Sequence, residues 1–479
     1  MLAFDNSYAR LPERFYTRMD PARVAAPKLL RLNVPFARKL GLDPDWLASS
    51  DGVAMLAGSA MPEGAAALAV VYAGHQFGHF SPQLGDGRAL LVGEFEAPDG
   101  QRYDLHLKGS GRTPYSRGGD GRAAVGPVLR EYVVSEAMAA LGIPTSRTLA
   151  AVATGERVFR ERILPGAVLA RVAKSHIRVG TFEYFAARGD GEAVKALADY
   201  AIRRHDPAAA RAEQPYRAFL DGVVARTAAL IARWMAVGFI HGVMNTDNMS
   251  VAGETIDYGP CAFMDDYHPG TVFSSIDHQG RYAYANQPRI AHWNMARLAQ
   301  ALAPLLGEDE DAAVASAQAA IDAFAGLFED AYLAHMRAKI GLETAMPDDA
   351  LLIEGLLAAM AGQKADFTLT FRQLAQHLGD GPMPDGLDAW GGEWRKRIAA
   401  EGRNPADISA GMDAVNPLYI PRNHHVEEAL AAAEINGDLE PLDALLRLVT
   451  APFAPQAHAA RYAAPPLPHE IVEATFCGT

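Results

Sequence analysis

Residues able to handle phosphate groups and hard metal ions recur in this chain in a telling order. Leu84-Gly85-Asp86-Gly87-Arg88 leads into a strand-like run. Gly85 and Gly87 would let backbone N–H groups come close to a phosphate, although a glycine-rich turn before a strand is more often only a turn. Lys108 closes a strand-like run, and Glu131 and Glu136 lie on the helix expected next. A lysine that binds nucleotide phosphates is held in place by a helix glutamate. Pattern alone leaves both glutamates open, because Glu136 sits on the helix's apolar stripe, and a surface lysine with a surface glutamate would read the same way. His241-Gly-Val-Met-Asn-Thr-Asp247-Asn248 follows a long helical run, with Asp257-Tyr258-Gly259 soon after. Magnesium prefers oxygen ligands; Asn248 and Asp257 offer two, and nucleotide phosphates would add more.

Elements must position these groups. Leu90–Phe95 and Arg102–Lys108 read as a β-hairpin around Ala97-Pro98-Asp99-Gly100-Gln101, where Pro presets φ, Asp bonds its own backbone and Gly accepts positive φ. In the second strand Tyr103, Leu105 and Leu107 share one face, while His106 and Lys108 share the other. A helix follows, with Pro127 in its first turn, Gly142 at its end and Pro144 barring continuation. Short strands are expected over Thr148–Ala153, Val158–Glu161 and Ala167–Ala173. A long helix is expected over Tyr216–Val237, and a small hairpin pairs Met249–Val251 with Thr255–Ile256. A strand-rich first part and a helix-rich second part imply two lobes with a cleft between them.

The order of the segments matches that of a protein kinase. His241 and Asn248 fall at the spacing of the catalytic-loop pattern H-R-D-x-x-x-x-N, and Asp257-Tyr258-Gly259 resembles D-F-G. Val243 stands where a kinase carries its catalytic Asp, and valine cannot accept a proton. Asp247 is the nearest carboxylate that could replace it. Each motif is weak alone; together, in this order, they are a strong signal.

Composition narrows the class. The chain has 479 residues, 49% hydrophobic and 21% charged, enough for a large core. A net charge of −13 argues against a general nucleic-acid binder. Within it lies a basic island, Lys108, Arg112, Arg117, Arg122 and Arg130 against Asp120 alone, which is either a local anion site or a solvated loop. No signal-peptide core and no apolar membrane span is visible, and a cytoplasmic location is the simplest expectation. The two cysteines, Cys261 and Cys477, have no zinc spacing. The paired histidines His75/His79 and His424/His425 raise a metal hydrolase, but structural or surface histidines are the better reading.

Longer strings carry a family resemblance: YAGHQFGHFSPQLGDGRA (72–89), LKGSGRTPYSRGGDGRA (107–123), LREYVVSEAMAALGIPT (129–145), HGVMNTDNMS (241–250), IDYGP (256–260) and NPLYIPRNHHVEEAL (416–430). Over nearly its whole length the chain resembles the selenoprotein O family. That resemblance implies a two-lobed α+β protein-kinase-like fold with additions: an N-terminal extension (1–65), a strand-rich lobe (66–180), a helical lobe (181–415) and a C-terminal extension (416–479). It implies ATP bound in a flipped orientation and transfer of AMP, with Mg2+ or Mn2+, to Ser, Thr or Tyr hydroxyls of proteins. Gly85, Gly87 and Arg88 are implied to touch the nucleotide, Lys108 its phosphates, and Glu131 to partner that lysine. Asp120 and Gly121 are implied to help bind the reversed nucleotide, and Arg171 and Arg178 to hold its terminal phosphate. Asp247 is the implied base, with Asn248 and Asp257 as metal ligands. Many animal members carry selenocysteine near the C-terminus, where this chain has Cys477; the resemblance implies a regulatory disulfide with Cys261. The rival readings are an orthodox phosphotransferase and a non-catalytic ATP-binding scaffold, which Val243 favours.

Overall fold

The computed structural model describes residues 3–379 and 381–476. The first part of the chain supplies β1 (Tyr16–Arg18), β2 (Lys28–Leu32), α1 (Val34–Lys39), α2 (Pro44–Ala48) and α3 (Ser50–Leu56). Then come β3 (Leu68–Val70), β4 (Gly74–Gln76), β5 (His79–Ser81), β6 (Ala89–Glu96), β7 (Arg102–Lys108), β8 (Ala123–Ala124), α4 (Val125–Ala140), β9 (Arg147–Phe159) and β10 (Ile163–Ala173). One antiparallel sheet runs in the order β1-β3-β6-β7-β10-β9-β2, with β8 added beside β10. The expected hairpin is β6–β7, and the expected helix is α4, whose chain turns away at Gly142 with φ 75°.

Two expectations change. Residues 1–65, expected as an extension to the strand-rich lobe, contribute β1 and β2 beside the short helices α1–α3, and these strands close the two edges of the sheet. Thr148–Ala153 and the first half of Val158–Glu161 are not separate strands but parts of the long β9, which continues past Gly155 at φ 73° and returns through β10; Arg160 and Glu161 lie in the turn between them.

Alternation along the strands sorts the sheet into two faces. Leu105 and Leu107 of β7 join Val92, Leu149, Val152, Val168 and Val172 in a core covered by α1–α3. The opposite face receives α4, which buries Leu129 and Val133 against Ala151, Ala167 and Leu169.

The second part is mostly helical. It comprises α5 (Val179–Ala186), α6 (Gly191–His205), α7 (Pro215–Ala236), the strand pair β11 (Phe239–Ile240) and β12 (Ala262–Phe263), α8 (Gln287–Leu302), α9 (Glu310–Lys339), α10 (Asp349–Gln363), α11 (Phe367–Leu374), α12 (Asp388–Ala400), α13 (Pro405–Val415), α14 (Asn423–Asn436), α15 (Glu440–Val449) and α16 (Ala460–Ala463). Their core is continuous with Leu68, Val70, Leu91, Val134 and Met138 of the sheet region, so the two parts share one hydrophobic interior behind the cleft. Helices α14 and α15 return to pack Val426, Leu430, Leu442 and Leu445 on α4. The class is mixed α+β. No helix among the described residues is long and apolar enough to cross a membrane.

Candidate functional site

A cleft of about 1140 Å³ lies between the sheet and the helical part. The polar face of β7 leads into it: His106 is buried, and Lys108 at the strand's end donates to Glu131 Oε2 of α4 at 2.5 Å. Glu136 points elsewhere and accepts from Arg147 Nε at 2.7 Å. The choice between the two glutamates is thereby made by β9, which supplies the competing arginine.

Arg171 stands on β10 directly across from His106, so the two side chains share a face. Its Nη1 donates to Glu131 Oε1 at 3.0 Å and to Asp257 Oδ1 at 2.6 Å. Arg178, immediately before α5, donates from Nη1 to Asp257 Oδ2 at 2.9 Å and to the Asp247 carbonyl at 2.7 Å. Lys108 Nζ is 3.6 Å from Asp257 Oδ1. Burial alone would raise the Asp257 pKa, but Arg171, Arg178 and Lys108 hold the carboxyl well below the usual carboxylate range. Asp257 has φ 59°, a left-handed conformation that is uncommon for a residue with a side chain; strain of that kind clusters at functional sites. Arg171 and Arg178 are 3% and 2% exposed, so they form the floor of the cleft rather than its rim.

The loop after β11 carries the second group of residues. His241 is buried, with Nε2 donating to the Ile256 carbonyl at 3.0 Å, and Val243 lies in the cleft wall. Asn248 Nδ2 donates to the Val243 carbonyl at 2.9 Å, which leaves its amide oxygen unused by that bond. Asp247 is buried; Gln76 Nε2 donates to its Oδ2 at 3.2 Å, and its Oδ1 has no hydrogen-bond partner among the described residues. Burial pushes its pKa up to about 6, against the pull of Arg178. A buried carboxylate that titrates near neutrality and keeps one oxygen unengaged is suited to taking a proton.

All twelve residues assigned from the sequence line this one cleft: Gly85, Gly87, Arg88, Lys108, Asp120, Gly121, Glu131, Arg171, Arg178, Asp247, Asn248 and Asp257. Asp120 sits near the mouth, ion-paired to Arg160 at 2.8 Å. The glycines have a packing reason that sequence reading missed. A Cβ at Gly85 would stand 2.5 Å from Tyr115 Cγ, and one at Gly87 would stand 2.8 Å from the Tyr115 carbonyl, because the loop from Gly109 to Arg122 folds against this turn. Thr113 Oγ1 donates to the Asp86 carbonyl at 2.7 Å and fastens the two together.

Other contacts of the site carried no signal in the sequence. Asp86 and His106 form a buried pair beneath Arg171. The Arg178 guanidinium lies 4.5 Å from the Tyr72 ring centroid. His75 pairs with Glu183 at 2.6 Å and donates its backbone N–H to Thr246 Oγ1 at 2.7 Å, which braces the loop beside Asp247. That pairing, and the bond between His425 and the Arg461 carbonyl, give one histidine of each doublet a structural partner.

The donor set fits a magnesium or manganese ion brought by a nucleotide. Asn248 and Asp257 offer hard oxygens on one cleft, and no cluster of three or more His, Cys, Asp or Glu suited to a metal occurs among the described residues. Protein ligands of that number need phosphate oxygens to complete a coordination shell. Cys261 is buried in the segment after Gly259, and Cys477 lies outside the described residues.

Comparison with known proteins identifies the family. The chain is 61% identical to the protein nucleotidyltransferase YdiU of Rhodopseudomonas palustris (strain BisB5), with 99% of each chain covered. It is 58% identical to a protein nucleotidyltransferase YdiU of Methylorubrum extorquens, covering 100% of this chain and 99% of the relative. It is likewise 58% identical to that of a Bradyrhizobium species, with 99% of each covered. Residues 1–450 match the profile of the family described as protein adenylyltransferase SelO, and the chain belongs to that family.

Proposed function

We propose that the chain transfers the AMP part of ATP to Ser, Thr or Tyr hydroxyls of proteins, with the γ-phosphate innermost in a kinase-like cleft. The observation that carries this reading is the cationic floor: Arg171 and Arg178 are more deeply buried than Lys108 and flank Asp257. Phosphate oxygens are well matched to arginine's fixed donors. A triphosphate whose end reaches that floor presents its α-phosphorus nearer the mouth. The acceptor oxygen attacks that phosphorus, Asp247 takes the hydroxyl proton, and pyrophosphate leaves onto Lys108, Arg171 and Arg178. Asn248 and Asp257 would hold a Mg2+ or Mn2+ ion, which would neutralise charge on the leaving pyrophosphate. Val243 supports the same reading, since the position a kinase uses for its base has no proton acceptor.

Redox control by a Cys261–Cys477 bond is part of the proposal. It is supported by Thr475, whose Oγ1 donates to the Pro260 carbonyl at 2.6 Å and whose backbone bridges to Ser274, so the tail runs beside Cys261. In a reducing compartment such a bond is transient and regulatory.

The test is incubation with ATP labelled separately at the α- and γ-phosphates. Label from the α-position on protein, with pyrophosphate released, is expected. Label from the γ-position alone would make the chain a phosphotransferase, and ATP binding with no transfer of either label would make it a scaffold.

A further inference from the structure

Beneath the arginine floor lies a pair of buried histidines that nothing in the reaction uses directly. His106 and His176 stack with ring centroids 4.2 Å apart and planes 18° from parallel. His106 Nδ1 accepts the Arg171 Nε–H at 3.1 Å, and its Nε2 donates to Asp86 Oδ2 at 3.3 Å. Asp86 belongs to the glycine turn and is itself fixed, its Oδ2 accepting from the Val70 N–H at 3.1 Å. The His176 ring is held by Asp104 Oδ2 at 3.1 Å, and its backbone carbonyl accepts the Arg178 Nε–H at 3.2 Å. Each arginine thus has its Nε committed to one member of the histidine pair, and its Nη1 turned to Asp257.

Geometry fixes the protonation that this requires. A guanidinium can only donate, so His106 Nδ1 must be the acceptor and Nε2 must carry the hydrogen. Asp86 enforces that tautomer, in the way an outer carboxylate orients a metal-bound histidine. A guanidinium anchored through Nε loses rotation about its last side-chain bonds, and its outer nitrogens are aimed before any ligand arrives.

We infer that His106 is a positioning residue for terminal-phosphate recognition, acting through Arg171 and linking that arginine to the Gly85–Asp86–Gly87 turn. The inference rests on the proposed role of Arg171. His106 touches no substrate itself; it sets the direction of the group that does.

Three substitutions separate this from a merely structural role. Asn puts an acceptor where His Nδ1 stands, Gln reaches the place of Nε2 only, and Leu does neither. Affinity for ATP and for AMP is measured by calorimetry on the full chain, and thermal unfolding is followed in parallel. His106→Leu and His106→Gln should weaken ATP about 10-fold with little change for AMP, and His106→Asn should recover most of the loss. Arg171→Ala should weaken ATP selectively, and adding His106→Leu to it should cost no more, because the two act as one unit. Equal losses for ATP and AMP in His106→Leu, or additive losses in the double variant, would overturn the inference. If Arg171→Ala itself weakens both nucleotides alike, the terminal-phosphate reading fails first and independently. His106→Asn keeps an acceptor on the buried Arg171 Nε–H and His106→Gln a polar group near Asp86, so polar variants are compared whatever Leu does to stability; Asn matching Leu in ATP affinity would also overturn the inference.

Discussion

Gly74→Ala isolates the proposed base without touching it. A Cβ at Gly74 would stand 2.4 Å from Asp247 Oδ1 and 2.9 Å from its Cβ and Cγ, where ordinary contact begins at 3.4 Å. Something must move by about 1 Å. Strand β4 is pinned on both sides of the glycine: the Ala73 N–H donates to the Gly180 carbonyl at 2.9 Å, and the His75 N–H donates to Thr246 Oγ1 at 2.7 Å. The carboxylate, held at one oxygen by a 3.2 Å bond from Gln76, is the weaker party and gives way. A misplacement of about 1 Å in a group acting on the reacting atoms costs about 100-fold in rate. Removing a general base altogether costs about 100- to 10,000-fold, so Asp247→Ala should be as slow or slower. The assay is single-turnover AMP transfer from α-labelled ATP at saturating nucleotide, with ATP affinity measured alongside. Slow transfer with ATP affinity near that of the native chain is expected. A folded Gly74→Ala protein transferring at the native rate would refute the placement of Asp247 as base, and a parallel loss of ATP affinity would show that the strand, not the carboxylate, had yielded.

Four further outcomes are expected. Asp257→Ala should abolish transfer and lower thermal stability, since Arg171 and Arg178 lose a buried partner at a cost of about 3 kcal/mol; pyrophosphate should restore much of the stability, and a variant that neither loses stability nor responds to pyrophosphate would contradict the floor described above. Val243→Asp should not create γ-phosphoryl transfer, because orientation of the nucleotide, not the lack of a base, sets the reaction; γ-label on protein in that variant would count against the flipped orientation. Transfer should rise with pH through about 6 in kcat/KM as Asp247 ionises. The linked stability has the opposite sign: the folded carboxyl binds its proton more tightly than the unfolded one at 3.8, so Asp247's contribution falls as pH rises from about 4 to about 6 and is level above, and Asp247→Asn should remove both effects. Reductant should change the rate of the native chain and leave Cys477→Ala unaffected; identical responses would mean that the cysteines are not a switch.

What the sequence disclosed was local. Alternation along Arg102–Lys108 was enough to put His106 and Lys108 on one face, and the punctuation by Pro127 and Gly142 was enough to bound α4. What it withheld depends on partners far away in the chain. The apolar stripe of α4 could not separate Glu131 from Glu136, because that helix is covered on one side by the sheet and on another by α14 and α15, and is buried on nearly every face. The decision came from Arg147 and Lys108 on two different strands. Strands β1 and β2 are three and five residues long and lie at the sheet's edges, too short for a period-two pattern to stand out. The value of Asp86 and His106 was invisible for a similar reason: a histidine in a strand gains its role only when a neighbouring strand sets an arginine against it.

The charges of the cleft bear on how a metal ion and a nucleotide would share it. Lys108, Arg171 and Arg178 converge on Glu131 and Asp257, and each of the three cations stands within 3.6 Å of an Asp257 oxygen. Asp257 would be a metal ligand, yet both of its oxygens accept from arginine, so a divalent cation approaching alone would compete with cations already in place. A polyphosphate changes the balance. Its oxygens can take over the Nη donors of Arg171 and Arg178, whose Nε atoms stay anchored on His106 and the His176 carbonyl, and the Asp257 carboxylate is then relieved of its partners. The cations that crowd Asp257 would be engaged by phosphate once a triphosphate is bound, and Asn248 and Asp257 would then be the oxygens on hand. Nucleotide and metal should therefore bind with strong positive coupling, and affinity for Mn2+ in the absence of nucleotide should be far weaker than in its presence. Titration of Mn2+ with and without ATP, followed by the relaxation of water protons, measures that coupling directly. Equal Mn2+ affinity in both conditions would mean that the arginines do not stand between Asp257 and the metal.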